Sequence, residues 1–198
     1  MDPRRPLTGF ADLAEQVRAA PARLGRTRLV CIDGPAGSGK TTFAARLAAA
    51  LDGDVAVVHM DDVYAGWTLD GAADRLSACV LRPLAEGRPG AYHRYDWHAG
   101  RFDDDETAVP VPDVLVVEGC GSCPQTVDAW TTLRIWVEAP PALRLARGLA
   151  RDGEHVAEHW GRWQLEEAAL FAAEDTRARA DLRVDGAEAP TDGFVVLP

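Results

Sequence analysis

The stretch Gly34-Pro35-Ala36-Gly37-Ser38-Gly39-Lys40-Thr41 constrains this chain more than any other segment. It has the form G-x-x-x-x-G-K-[ST], with an apolar run, Arg28 to Asp33, before it and a helical pattern, Lys40 to Leu51, after it. Glycines let successive backbone N–H groups curl around an anion with no Cβ in the way, and the helix adds the positive end of its dipole. Lys40 is expected to reach the β- and γ-phosphates of a nucleoside triphosphate lying on residues 34–42, Thr42 included. The Thr41 hydroxyl is expected to ligate Mg²⁺.

Lys40 is also the only lysine, so every other basic residue is an arginine. A compact, flexible point charge suits a phosphate cradle better than a planar guanidinium fork. With 198 residues, 47% of them hydrophobic, one domain over 1–198 with a sizeable core is expected. Acidic residues outnumber basic ones by 31 to 21, a net charge of −10, which is the wrong sign for wrapping nucleic acid. A phosphate site must then be built locally from a few placed cations. No apolar run is long enough to span a bilayer, and the proline-punctuated start, Met1 to Phe10, lacks a signal-peptide core. Four cysteines are too few for a disulfide scaffold, so reduced thiols and a cytoplasmic setting are expected. The expected partner is a small molecule, neither nucleic acid nor membrane; a homo-oligomer is left open.

Along the chain the hydrophobic period alternates. Ala11 to Leu24 reads as an amphipathic helix, and an N-terminal helix is expected over about 8–25. Asp54–His59, Val114–Val117 and Leu133–Val137 read as buried strands. Leu69–Glu86 reads as a helix that Pro83 kinks or ends early. Gly87–Pro112 reads as irregular. Ala142–Arg151 and His159–Ala180 read as helices, and Leu182–Val184 as a last strand. Unbroken apolar strands separated by helices predict an α/β fold: three layers around a mostly parallel sheet, of the P-loop NTPase type.

In such a sheet ligands lie beyond the carboxyl ends of the strands. Acids stand at three of those ends: Asp33 before the loop, Asp61 and Asp62 after the second strand, and Glu118 after the third. Phosphoryl transfer to a hydroxyl needs one carboxylate to orient and deprotonate the acceptor and others to hold Mg²⁺. Asp61, Asp62 and Glu118 could supply both roles; the Asp pair could equally cap the next helix. A switch-type GTPase needs an N-K-x-D guanine reader, which a single lysine inside the phosphate loop excludes. A small-molecule or nucleotide kinase remains.

At this point the chain resembles the uridine kinase family of P-loop kinases, relatives of phosphoribulokinase and nicotinamide riboside kinase, from about Leu29 to Gly186. Asp61-Asp-Val-Tyr64 resembles the family's D-[SD]-F-[YF] element, which implies Asp61 as catalytic base, Asp62 as the alternate, and Tyr64 beside the acceptor. Tyr95-Asp96 followed by Arg101 is similar to the Y-D-x-x-x-x-x-R segment that lines a pyrimidine nucleoside pocket. Val117-Glu118-Gly119 resembles the [LF]-E-G element, whose glutamate serves Mg²⁺ and the acceptor side. Arg144-Leu-Ala-Arg147-Gly-Leu-Ala-Arg151-Asp152 looks like the family's lid helix, whose arginines clamp phosphates, and implies a small helical lid over about 144–163. The spacing agrees, because residues three and four apart share a helix face; a solvated arginine face is the plainer alternative. The chain departs from the family in two places. Tyr64–Asp70 is shortened where the family reads the ribose, leaving Asp70 as the stand-in, and Gly148 replaces a lid arginine.

The resemblance implies an ATP- and Mg²⁺-dependent kinase. Lys40, Arg147 and Arg151 join Asp61 as catalytic groups, Thr41, Asp61 and Glu118 serve the metal, and Arg144 helps hold ATP. The implied acceptor is the 5′-hydroxyl of a pyrimidine nucleoside. A cytidylate-like kinase, which would need arginines such as Arg94 and Arg101 for a monophosphate, stays open. So do a kinase of another small alcohol and an ATP-binding regulator. His155-Val-Ala-Glu158-His159 matches a zinc-protease string without a third ligand, and Cys120-Gly-Ser-Cys123 is a C-x-x-C pair that cannot complete a zinc site alone. His93 and His98 flank Tyr95-Asp96, and either could touch substrate.

Overall fold

The computed structural model describes residues 7–188, 190, 191 and 193–198. The first part of the amino-terminal stretch, residues 1–6, lies outside them. Strand β1 (Leu7–Thr8) leads into helix α1 (Phe10–Ala19), shorter than its periodicity predicts because Pro21 follows the end of the helix. Strand β2 (Arg28–Asp33), the phosphate loop and helix α2 (Lys40–Ala50) follow, then strand β3 (Val55–His59) and a 3-10 turn, Met60–Asp62. Helix α3 (Ala72–Leu76), a π turn (Ser77–Leu81) and helix α4 (Arg82–Ala85) run on as one rod. The wide turn comes just before Pro83, whose missing N–H cannot serve an ordinary helical register.

The segment expected to be irregular is instead a hairpin of β4 (Gly90–Asp96) and β5 (Arg101–Val109). Four successive acids in β5 have poor strand propensity, and cross-strand pairs such as Tyr95 on Phe102, with centroids 5.2 Å apart, hold the pairing. Strands β6 (Val114–Glu118) and β7 (Thr131–Glu138) precede helices α5 (Pro141–Asp152), α6 (Ala157–Glu174) and α7 (Thr176–Arg179). Strands β8 (Leu182–Asp185) and β9 (Phe194–Val196) end the chain.

The main sheet has the order β1-β9-β8-β7-β2-β6-β3. From β8 to β3 all neighbours are parallel, and β9 and β1 add an antiparallel edge too short for periodicity to reveal. Alternate residues bury opposite faces, as a strand's period of two requires. Leu29, Cys31, Leu115 and Val117 pack under the rod, the segment 60–69 and α6. Val30, Ile32, Val114 and Val116 pack against α1 and α2. The result is three layers, helix–sheet–helix. Among the described residues no helix is long and apolar enough to cross a membrane.

Parallel pairing places the carboxyl ends of β2, β6 and β3 side by side: Ile32 is in register with Glu118, and Glu118 with His59. The phosphate loop, Glu118 and the Asp61 turn therefore open on one edge of the sheet.

Candidate active site

That edge holds a cavity of about 800 Å³. Lys40, Thr41, Thr42, Asp61 and Glu118 line its floor, Arg147 and Arg151 reach it from α5, and Trp67, Trp97, Trp160 and Trp163 form an aromatic wall.

The loop takes its shape from glycine. Gly34 has φ +138°, and a Cβ there would lie 2.1 Å from the carbonyl oxygen of Val137. No side chain caps the N-terminus of α2, where Gly39 is left-handed, so the first N–H groups of that helix face outward unpaired by capping. The hydroxyl of Ser38 is buried without a partner. A helix N-terminus of this kind is a ready anion seat. Lys40 is buried, its Nζ donating to the Pro35 carbonyl at 3.0 Å and lying 3.6 Å from Cys120 Sγ. Burial opposes its charge, yet Cys120, Glu118, Asp33 and Glu167 outweigh that and hold its pKa above the ordinary value.

Asp33 braces the loop from behind. Its carboxylate accepts N–H groups from Gly34 at 2.7 Å, Gly121 at 2.9 Å and Cys123 at 3.0 Å. Burial pushes its pKa up to about 6 despite those donors and Lys40. Cys120 and Cys123 are buried thiols with raised pKa, Cys120 chiefly through burial and Cys123 through its contact with Cys31 and burial.

Glu118 Oε1 accepts the Thr41 hydroxyl at 3.1 Å and lies 2.6 Å from His59 Nδ1. That bond raises the pKa of His59. Asp61 opens on the cavity yet is crowded by protein; burial and Glu118 raise its pKa, against Lys40, Arg151 and His59. Thr41, Glu118 and Asp61 are hard oxygen donors close to the anion seat. Among the described residues no group of three or more His, Cys, Asp or Glu side chains could hold a metal by itself. Mg²⁺ needs none, since one or two carboxylates with a hydroxyl and substrate phosphates suffice.

The predicted residues divide. Tyr64 lines the cavity, buried, with its hydroxyl on the Cys120 carbonyl at 2.8 Å and its ring against Trp163. Asp62 is taken up by Tyr92 at 3.1 Å and Arg94 at 3.0 Å; burial first, then the charge of Asp62 and this bond, push the Tyr92 phenol up to about 12. Asp70 is exposed, Asp96 accepts the N–H groups of His98 and Ala99 in its own turn, and Arg101 pairs with Asp104 on the surface. Tyr95 packs on Trp97 and Phe102. None of these last four lines the cavity; the hairpin tip reaches it instead through Trp97 and His98. Trp97 Nε1 donates to the Asp61 carbonyl at 3.0 Å, tying the tip to that acid.

On α5, Arg147 spans the Gly186 carbonyl at 2.9 Å and the Gly37 carbonyl at 3.4 Å. Arg151 is bidentate to Asp152, which keeps its pKa raised. Arg144 turns behind the loop to Glu167 and the Ala36 carbonyl rather than into the cavity. His159 stacks on Trp67, and His155 lines the cavity. A second recess of about 260 Å³ adjoins, sharing Gly39, Thr42 and Arg147, and Phe10, Phe43 and Phe194 line it, their rings packed 5.0–5.2 Å apart.

Glu166, Glu167, Trp67 and Trp97 were not visible as site residues in the sequence. Only the position of Trp67 and Trp97 near acid-rich turns could have hinted at them, and nothing marks the two glutamates within a helix of ordinary amphipathic character.

A three-layer sheet with a glycine loop, a buried lysine and acids at neighbouring strand ends defines a P-loop kinase-type fold. Solved structures agree. A possible uridine kinase from Bacillus stearothermophilus superposes with a TM-score of 0.64 at 20% identity, over 88% of this chain and 96% of that one. A candidate fructose transport system kinase from Silicibacter sp. TM1040 gives 0.60 at 22% identity, over 89% and 98%. D-glycerate 3-kinase from Cryptococcus neoformans var. grubii gives 0.58 at 13% identity, over 95% and 99%. No family model and no curated protein matches the chain.

Proposed function

We propose that the chain is a phosphotransferase that moves the γ-phosphate of ATP to a hydroxyl of a small molecule, with the 5′-hydroxyl of a pyrimidine nucleoside as acceptor. One observation carries this reading: Lys40 and Thr41, Glu118 and Asp61 come from the ends of three parallel strands and line one cavity. The solved kinases of the same fold support it.

Lys40 and the open N–H groups of the loop hold the triphosphate. Thr41, Glu118 and Asp61 would hold Mg²⁺, which supplies charge neutralisation at the phosphates. Asp61 orients the acceptor hydroxyl and takes its proton. Arg147 and Arg151, on a lid formed by α5 and the start of α6, neutralise charge developing on the transferred group. The recess beside Thr42 suits the donor's base. The tryptophan wall suits a planar heteroaromatic acceptor, and Trp163 Nε1 there is buried without a protein acceptor. A monophosphate acceptor is less well served, because Arg94 and Arg101 are engaged by Asp62 and Asp104.

The test is ADP release in the presence of ATP and Mg²⁺ across nucleosides, nucleoside monophosphates, sugars and hydroxy acids. Uridine- or cytidine-stimulated release is expected. Stimulation by another alcohol alone would move the acceptor, and turnover indifferent to every acceptor would overturn the kinase reading.

A further inference from the structure

Two adjacent carboxylates on α6 grip the two halves of the cavity. Glu167 is 2% exposed, and its Oε2 accepts the Ala36 N–H at 2.8 Å while Oε1 pairs with Arg144 at 2.9 Å. Arg144 also reaches the Ala36 carbonyl at 3.3 Å, so the two peptide groups that flank Ala36 in the phosphate loop are both held. Cys120 Sγ lies 3.5 Å from the same Oε2. One residue earlier, Glu166 Oε1 accepts the Thr68 hydroxyl at 3.0 Å and the Leu69 N–H at 2.7 Å. Thr68 and Leu69 end the segment that carries Asp61, Tyr64 and Trp67.

Successive residues of an α-helix point about 100° apart, which is how neighbouring side chains reach different segments. Burying a carboxylate costs several kcal/mol unless it is fully paired, and an apolar residue would pack the same volume more cheaply. What a carboxylate adds is direction, since it fixes where each N–H must lie. The helix is also seated on the acceptor segment by Trp163, 4.9 Å from Tyr64 and 6.1 Å from Trp67.

We propose that Glu166 and Glu167 are positioning residues that set the phosphate loop against the acceptor segment. Glu167 acts on the nucleotide side through Ala36 and Arg144, and Glu166 acts on the acceptor side through Thr68 and Leu69. The proposal rests on the kinase reading. It matters there because misplacing reacting groups by about 1 Å can cost around a hundredfold in rate.

The test compares Glu167→Gln, Glu166→Ala and Glu166→Gln in the full chain. The readouts are ATP·Mg²⁺ affinity by calorimetry, KM for the acceptor, kcat and melting temperature. A glutamine at 167 keeps the shape but can present its one oxygen to Arg144 or to Ala36, not both. Glu167→Gln is expected to weaken ATP binding about tenfold, the scale of a charge-assisted hydrogen bond, with acceptor KM unchanged. Glu166→Ala is expected to raise acceptor KM and leave ATP affinity alone. Glu166→Gln keeps one oxygen for both donors and should restore the wild-type KM. Both parameters moving together, or tracking melting temperature only, would overturn the division of roles. Should Glu167→Gln fail to fold, the half-buried Glu166 pair carries the decision: no rise in KM for the alanine, or no recovery in the glutamine, overturns the proposal. Variants with unchanged constants in an enzyme that binds ATP and phosphorylates its acceptor overturn the proposal alone, whereas wild-type protein that binds no ATP overturns the kinase reading with it.

Discussion

The indole of Trp160 occupies the volume that any side chain at position 148 would need: a Cβ on Gly148 would lie 2.2 Å from Trp160 Cζ2. The α5 position where the resembled family carries an arginine is thus filled from the neighbouring helix by an aromatic ring. The ring is fixed, with Nε1 on Asp152 at 3.0 Å and Arg151 above its face at 6.0 Å. Gly148→Ala would ordinarily stabilise a helix, yet here it is expected to lower stability by about 1–3 kcal/mol through overpacking. The Gly148→Ala/Trp160→Ala double variant should lose less than the sum of the two single changes. Denaturant unfolding of the four proteins measures that coupling.

Lys40 is expected to be irreplaceable by arginine. Its Nζ sits in a buried niche between the Pro35 carbonyl and Cys120 that a planar fork cannot enter without moving the loop. Lys40→Arg and Lys40→Met should both cut phosphoryl transfer by about a hundredfold or more, the scale of losing one preorganised electrostatic contact. Steady-state kinetics at saturating acceptor would show it; an arginine variant with wild-type turnover would refute the role.

Asp61→Asn should retain ATP binding and lose transfer by about 10²–10⁴-fold, the usual worth of a positioned base. Titration of the carboxyl offers an independent check. In the metal-free protein burial and Glu118 hold the pKa of Asp61 above its ordinary value. Adding Mg²⁺ should lower it, because a bound divalent cation favours the ionised carboxylate. A carboxyl titration, followed by NMR, that ignores Mg²⁺ would mean that Asp61 does not face the metal.

The glycine loop, the parallel character of the sheet and the acids at its strand ends were legible because each depends on local pattern: glycine spacing, apolar runs, a charge directly after a run. Arg144 was legible as part of an arginine face but not in its direction, since only the fold brings Glu167 beneath it. The hairpin hid for a different reason. Asp103 to Glu106 look like a solvated loop, and the pairing that makes them a strand is cross-strand, between Tyr95 and Phe102 among others. Its tip delivers Trp97 and His98 to the cavity, whereas the motif residues Asp96 and Arg101 serve the turn and the surface.

Asp33 gives the chain a pH dependence with a definite sign. Its pKa is about 6 in the folded protein against 3.8 ordinarily, so the folded state binds the proton more tightly. The stability it contributes is complete below about pH 4 and is lost as pH rises through about 6, a difference of up to about 3 kcal/mol for a buried group. Function runs the other way. The ionised carboxylate accepts from Gly34, Gly121 and Cys123, and protonation removes acceptor capacity and loosens the loop. Urea unfolding of wild type and Asp33→Asn at pH 4, 5, 6 and 7 should show the variant's deficit shrinking as pH rises, because it lacks this titration. ATP affinity of the wild type should fall below pH 6 while that of the variant, weaker throughout, should change less. A stability difference independent of pH across that window would mean that Asp33 titrates elsewhere.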